Sequence, residues 1–158
     1  MAKEQKTNVM RILDRAGVAY RSHPYAGTGQ MSGMEIAALL QENPDRVFKT
    51  LVTAGKNGGS FVFLVPVSRE LDLKKAAAAV GEKAVSMLPQ KELFKTTGYI
   101  HGGCSPIGMK KAFPTVIDVS AANFEAICFS AGKIGLQVEL AVADISRALD
   151  YSLCDIVV

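Results

Sequence analysis

Tryptophan is absent from the 158-residue chain, histidine occurs twice and cysteine three times. The cysteines, Cys104, Cys128 and Cys154, are widely spaced and odd in number. That excludes a disulfide framework and a paired metal-binding knuckle, and it points to a reducing compartment. No apolar run approaches the ~20 residues that cross a bilayer. The segment Met1 to Lys6 leads into no apolar core of a secretory signal, so no membrane partner and a cytoplasmic location are expected. A strong excess of one charge is also missing. The 18 Lys and Arg against 15 Asp and Glu leave +3, too little by itself to argue for a nucleic-acid partner. Internal repeats, low-complexity tracts and long linkers are lacking too, which leaves one domain over residues 1–158.

What is present is a core. The chain is 49% apolar, and a domain of this length buries roughly 68–70% of its unfolded surface. Its charge is unevenly placed: residues 91–111 carry four basic and one acidic side chain, and residues 112–158 carry two and six. Lys91, Lys95, Lys110 and Lys111 flank a glycine-rich segment, where they serve either as a solvated face or as a holder of a phosphate-bearing ligand.

Apolar spacing predicts a first helix over Asn8 to Ala16, closed by Gly17, and a short strand from Val18 to Tyr25 that runs into the loop Ala26 to Gly33. Ser32 and Glu35 form a capping box for a second helix, which stops before Asn43-Pro44. Phe48 to Ala54 and Phe61 to Val67, joined by Gly55-Lys56-Asn57-Gly58-Gly59, predict a hairpin. Asp72 caps a helix to Val80. A strand over Ala84 to Leu88 and a helix over Pro89 to Thr96 follow. Strands over Thr115 to Val119, Ala126 to Ser130 and Leu136 to Leu140 precede a last helix, Val142 to Leu149. The fold class expected is mixed α+β: a partly barrel-like mixed sheet surrounded by helices.

Several segments carry chemistry. Gly27-Thr28-Gly29-Gln30-Met31-Ser32-Gly33 approaches a dinucleotide fingerprint, but Ser32 stands where the third glycine belongs, and the acid at the right distance, Asp45, lies in a turn. No cofactor is expected. His101 and Cys104 have a spacing that offers a metal two ligands or a thiol its base. Neither arrangement has a third member, so no metal is expected. The segment Thr97 to Lys111 packs Gly98, Gly102, Gly103, Gly108 and Pro106 into eleven residues. It reads either as a connecting loop or as backbone N–H groups arranged to hold an oxyanion. Lys49 stands near the start of an apolar strand, on its polar face or pointing into a cleft as a fixed cation.

Five segments occur in order: Val47-Phe48-Lys49-Thr50-Leu51, Leu71-Asp72-Leu73-Lys74-Lys75, Thr97-Gly98-Tyr99 with Gly102 to Gly108, Pro114 to Asp118, and Ser130-Ala131-Gly132-Lys133 with Gly135-Leu136. Together they resemble the YbaK-type Cys-tRNA(Pro) deacylases, which are related to the editing domain inserted in prolyl-tRNA synthetases. The resemblance implies a single editing domain that acts in trans on tRNA mischarged with cysteine, with Cys-tRNA(Cys) as a further substrate. It implies Lys49 as the essential catalytic residue and Tyr25, Gly102, Gly103, Ser105, Pro106, Gly108 and Ser130 as substrate-binding residues. The aminoacyl-tRNA acceptor end is the implied partner, with prolyl-tRNA synthetase as a source of tRNA identity and no role for DNA. Gln137 stands where some relatives have an acid, and His101 and Cys104 hold positions expected to vary.

The implied reaction needs no triad, because an aminoacyl ester is already activated and the protein has only to place it and stabilise charge on its carbonyl oxygen. The substrate's own thiol, which ionises near pH 8.5, is the implied nucleophile. Two rivals stay open. One is an Ala-tRNA(Pro) deacylase that uses water, and the other is a non-catalytic module that binds tRNA or a synthetase.

Overall fold

The computed structural model describes residues 6–27 and 30–158. Thr28 and Gly29, and with them part of the Gly27–Gly33 segment, lie outside the described residues.

The first helix, α1 (Asn8–Arg15), starts where the Thr7 hydroxyl accepts from the Met10 N–H, and it ends before Gly17, whose φ of +71° suits a residue without a Cβ. Val9 and Leu13 are fully buried on one face. Strand β1 (Tyr20–Pro24) follows, then α2 (Gly33–Leu39). The Ser32–Glu35 capping box is present in both directions, at 3.1 Å each way. A 3₁₀ turn, Pro44–Arg46, capped by Asn43, feeds β2 (Phe48–Gly55), which pairs antiparallel with β3 (Ser60–Pro66) as the hairpin predicted. Then come α3 (Leu73–Ala79), capped by Asp72, the short β4 (Val85–Met87), and α4 (Gln90–Thr97), which ends at the left-handed Gly98. Strands β5 (Thr115–Asp118), β6 (Ala126–Lys133), β7 (Leu136–Ala141) and β8 (Ser152–Cys154) complete the chain.

The strands form two sheets, β1-β7-β6 and β4-β2-β3-β5-β8. The smaller is antiparallel. The larger is mixed, with β5 parallel to both β3 and β8. A parallel bridge between Val47 and Cys128 joins the two, so the expected curl is carried by two sheets meeting beside the start of β2. The inner face of β1-β7-β6 contributes Ile127, Phe129, Val138 and Leu140 to a core shared with Phe48, Val62, Leu64 and α1. Each large side chain buried there contributes ~1.5–3 kcal/mol.

The helix expected after β7 is present as a 3₁₀ helix, Val142–Arg147, which stops two residues short of Leu149. Strand β8 has no sequence signature, because three residues are too few to show alternation. Its place is set by Asp118, 2% exposed, whose carboxylate accepts from the Ser120 and Ile156 N–H groups at 3.1 Å each. Among the described residues no helix is long and apolar enough to cross a membrane.

Candidate active site

The outer face of the smaller sheet is not a solvent face. Cys128 packs there with Ala37, Val47 and Val67 of α2 and the ends of β2 and β3, and Gln137 is only 5% exposed. Where the two sheets meet, a cavity of about 240 Å³ opens between β7, the start of β2, the start of α2 and the glycine-rich loop after α4. That is smaller than the ~300–1,000 Å³ typical of drug-sized ligand sites.

Tyr25, Lys49, Gly102 and Ser130 all line it, together with His101, Cys104, Thr50 and Gln137. Each is placed by local structure. The Tyr25 N–H donates to the Gly135 carbonyl at 2.9 Å. A Cβ on Gly27 would meet the Tyr25 ring at 2.6 Å, so the glycine leaves the ring its room. Gly33 likewise lets the first turn of α2 touch Val67, where a Cβ would lie 2.3 Å from a methyl carbon. Lys49 is paired in β2 with Val65, and its Nζ lies 3.4 Å from the Oε1 of Glu70, an exposed carboxylate. The Ser130 hydroxyl accepts from the Gly132 N–H at 3.1 Å, where β6 loses register with β7. The Thr50 hydroxyl oxygen is buried and has no hydrogen-bond partner among the described residues.

Four other predicted residues do not line the cavity. Ser105 and Pro106 are buried behind the loop, and the Ser105 hydroxyl accepts from the Ile107 N–H. A Cβ on Gly103 would lie 3.0–3.1 Å from backbone atoms of Lys133 and Ile134, so this glycine permits close packing on the β6–β7 turn. Its N–H is engaged with the Ile100 carbonyl at 3.0 Å. Gly108, at φ +81°, faces the Tyr99 hydroxyl and α1. The N–H groups of Gly102, Cys104 and Ser105 are taken by no backbone acceptor among the described residues, and of the three Gly102 and Cys104 line the cavity.

Burial pushes the Cys104 thiol up to about 12, and the nearby Thr97 hydroxyl only partly opposes this. The thiol is therefore protonated at neutral pH, and the spacing of His101 and Cys104 does not assemble a nucleophile and base.

Sequence reading missed a polar cluster behind Gln137. With the amide oriented to satisfy both groups, Gln137 Nε2 donates to the Glu42 carboxylate oxygens at 2.9 and 3.2 Å. The Cys128 thiol donates to Glu42 at 3.6 Å. His23 Nε2 lies 2.7 Å from Glu139 Oε1, and Arg46 donates to Glu139 Oε2 at 3.3 Å. Burial raises the Glu42 carboxyl above its ordinary range, and the nearby His23 and Arg46 only partly oppose this. Burial also works against ionisation of Glu139, but the hydrogen bonds from His23 and Arg46 outweigh it and hold the group low. Burial raises the Cys128 thiol strongly. His23, Glu42 and Cys128 bring ligand atoms within 4.8 Å of one another, yet each is engaged with a protein partner and Arg46 adds a cation. The arrangement is a hydrogen-bond network. The available signal was the period of two in β7, which puts Gln137 and Glu139 together on the face opposite Leu136, Val138 and Leu140.

The family model for the aminoacyl-tRNA editing domain matches residues 30–148, and the chain belongs to that family. A protein of Enterococcus faecalis named as a candidate Cys-tRNA(Pro)/Cys-tRNA(Cys) deacylase, EbsC, is 49% identical over 139 residues, covering 87% of this chain and 85% of the relative. A proline–tRNA ligase of Burkholderia orbicola is 26% identical over 131 residues, which is 80% of this chain but 23% of the ligase. The crystal structure of a candidate trans-editing enzyme for prolyl-tRNA synthetase shares the fold, with a TM-score of 0.82 at 20% identity, covering 96% of this chain and 98% of that one.

Proposed function

We propose that this protein is a cytoplasmic trans-editing deacylase that removes cysteine from mischarged Cys-tRNA(Pro), and from Cys-tRNA(Cys) as well. The observation that carries this reading is the joining of Lys49, Ser130, Tyr25, Gly102 and Cys104 around one small cavity whose own thiol is protonated. The likeness to the Enterococcus protein supports the substrate class. Residues 1–158 act as one editing domain. α1 and β8, outside the matched segment, pack on the same sheets as the residues within it.

In this mechanism Lys49 holds the terminal phosphate or ribose of the tRNA, Tyr25 borders the aminoacyl group and Ser130 offers it a hydroxyl. The substrate thiolate attacks its own ester carbonyl. A carbon–sulfur bond forms, the bond to the ribose oxygen breaks, and that oxygen takes a proton. Water then opens the thiolactone to free cysteine. Negative charge on the carbonyl oxygen is received by the free N–H groups of Gly102 and Cys104, fixed donors in a partly dry site. Gly103, Ser105, Pro106 and Gly108 shape the loop that presents them. Lys91, Lys95, Lys110 and Lys111 add salt-sensitive attraction to the acceptor end, and prolyl-tRNA synthetase supplies tRNA identity.

The test is a panel of one tRNA body charged with Cys, Ser or Ala. Cys-tRNA should be cleaved far faster than the other two. Equal rates would remove the substrate-thiol step, a preference for Ala would select the water-using deacylase, and no single-turnover cleavage of any ester would leave a binding module.

A further inference from the structure

We propose that Phe94 is a stacking platform for an unpaired base of the tRNA 3′ end, with the lysines around it holding the adjoining phosphates. This rests on the aminoacyl-tRNA reading above and adds to it the surface that receives the strand outside the cavity. Phe94 is 59% exposed, and it is the only exposed aromatic side chain among the described residues. An exposed apolar side chain is by itself ordinary. This one has a cation fixed beside it. Lys110 Nζ lies over the ring, 5.2 Å from its centroid, and donates to the Lys95 carbonyl at 3.4 Å. The stem of Lys110 crosses Gly98, where a Cβ would lie 3.4 Å from Lys110 Cγ. These contacts hold the amine in place, while more than half of Phe94 stays open to a second flat partner.

Helix α4 sets this platform beside the cavity. Leu93 lines the cavity, and α4 leads into His101 and Gly102, which line it too, so a strand leaving the cavity on this side passes α4. Residues three or four apart on a helix are neighbours, whereas those two apart are not. Lys91 therefore shares a face with Phe94 and Lys95. Glu92, the acid of this helix, lies across it from Phe94 and borders a groove with Gly58 and Phe61. None of Lys91, Lys95, Lys110 and Lys111 forms an ion pair among the described residues. Like charges four apart on a helix repel, and a polyanion relieves that repulsion. A base adds the flat π face that stacks on an aromatic ring and attracts a neighbouring cation. RNA supplies both groups in every nucleotide.

The experiment measures equilibrium binding, at one fixed salt concentration, of an uncharged acceptor-stem hairpin with its unpaired CCA end. The comparison RNA has the same end with abasic sites in place of the bases. The wild type should bind the intact end about tenfold more tightly than the abasic one. Phe94→Leu keeps an apolar side chain but has no π face. It should lose about tenfold on the intact end and stay within about twofold on the abasic end, whereas Phe94→Tyr should stay within about threefold on both. A wild type that binds both ends alike, or neither, would overturn the proposal. So would a Phe94→Leu loss that is equal on both RNAs or absent from both, or a Phe94→Tyr loss as large as that of Phe94→Leu. If Phe94→Leu does not fold, Phe94→Gln takes its place with the same expectations.

These RNAs carry no ester, so binding and cleavage fail separately. If the wild type cleaves no Cys-tRNA(Pro) yet shows the Phe94-dependent preference, the deacylase reading falls and the platform stands. If it cleaves Cys-tRNA(Pro) without that preference, the platform falls and the deacylase reading stands. Stacking also has a spectroscopic signature: the Phe94 ring-proton resonances should move upfield with the intact end and not with the abasic one. The same response to both RNAs, including none, would overturn the proposal.

Discussion

Replacing Lys49 with alanine separates stability from substrate binding, because the two interactions of its amine have very different sizes. In the free protein, Nζ sits 3.4 Å from Glu70, whose side chain is 81% exposed. Such a pair contributes ~0–1 kcal/mol, so the fold should lose little. A charge-assisted hydrogen bond from the same amine to a phosphate or ribose oxygen contributes ~1.5–3 kcal/mol. At ~1.4 kcal/mol per tenfold, this corresponds to a loss in kcat/KM of roughly 10- to 150-fold, with the partial exposure of Lys49 favouring the lower part of that range. The assay is kcat/KM on Cys-tRNA(Pro), with thermal unfolding recorded on the same preparation. Glu70→Gln is the control: it frees the amine and should keep or raise activity. Full activity in a folded Lys49→Ala protein would refute the role assigned to the amine. A drop in Glu70→Gln as large as in Lys49→Ala would show that the ion pair, not the substrate contact, is what matters.

Cys104→Ala should change the deacylation rate only about twofold, because a thiol held near 12 is protonated at neutral pH; complete loss in a folded variant would restore a protein-thiol mechanism. Gly103→Ala places a Cβ 3.0 Å from the backbone of Ile134 and should destabilise by about 1–3 kcal/mol, read as a lower urea midpoint at unchanged slope. An unchanged midpoint would show that the loop shifts freely. Burial raises the Glu42 carboxyl, so its folded form binds a proton more readily than its unfolded form. This group's contribution to stability is therefore fully present below the unfolded pKa and lost as pH rises through the raised folded value. The unfolding temperature of Glu42→Gln relative to wild type should accordingly move in favour of the variant from about pH 4 to about pH 7. A difference independent of pH would mean that Glu42 is ionised at no cost.

Most elements were legible because their signals are local. The Ser32–Glu35 capping box, the Asp72 cap, the glycine after α1 and the β2–β3 hairpin act over a few residues, and the structure has each of them where expected. What the sequence did not show were features without a local signal. Strand β8 depends on Asp118, 38 positions away from Ile156. The helical pattern after β7 does not tell the 3₁₀ helix that forms there from an α-helix. In the glycine-rich loop, composition alone does not tell a glycine that admits a ligand from one that admits another backbone. Gly102 lines the cavity, whereas Gly103 and Gly108 make room for the β6–β7 turn, Tyr99 and α1.

The chain's own order of residues determined its mixed α+β class, its apolar inner strand faces, and the pairing of a lone strand lysine with a glycine-rich loop, since side-chain period and backbone freedom are properties of neighbours in sequence. Tertiary structure decided which of these residues share a space. Bringing β1, β6 and β7 against the start of β2 and the end of α2 half-buried Glu42 beside Gln137 and left Lys49 and Gly102 on one cavity. That step joins positions as far apart as His23 of β1 and Glu139 of β7, 116 residues distant in sequence. Whether a polar side chain becomes a solvated surface group or a buried, oriented one depends on what folds over it.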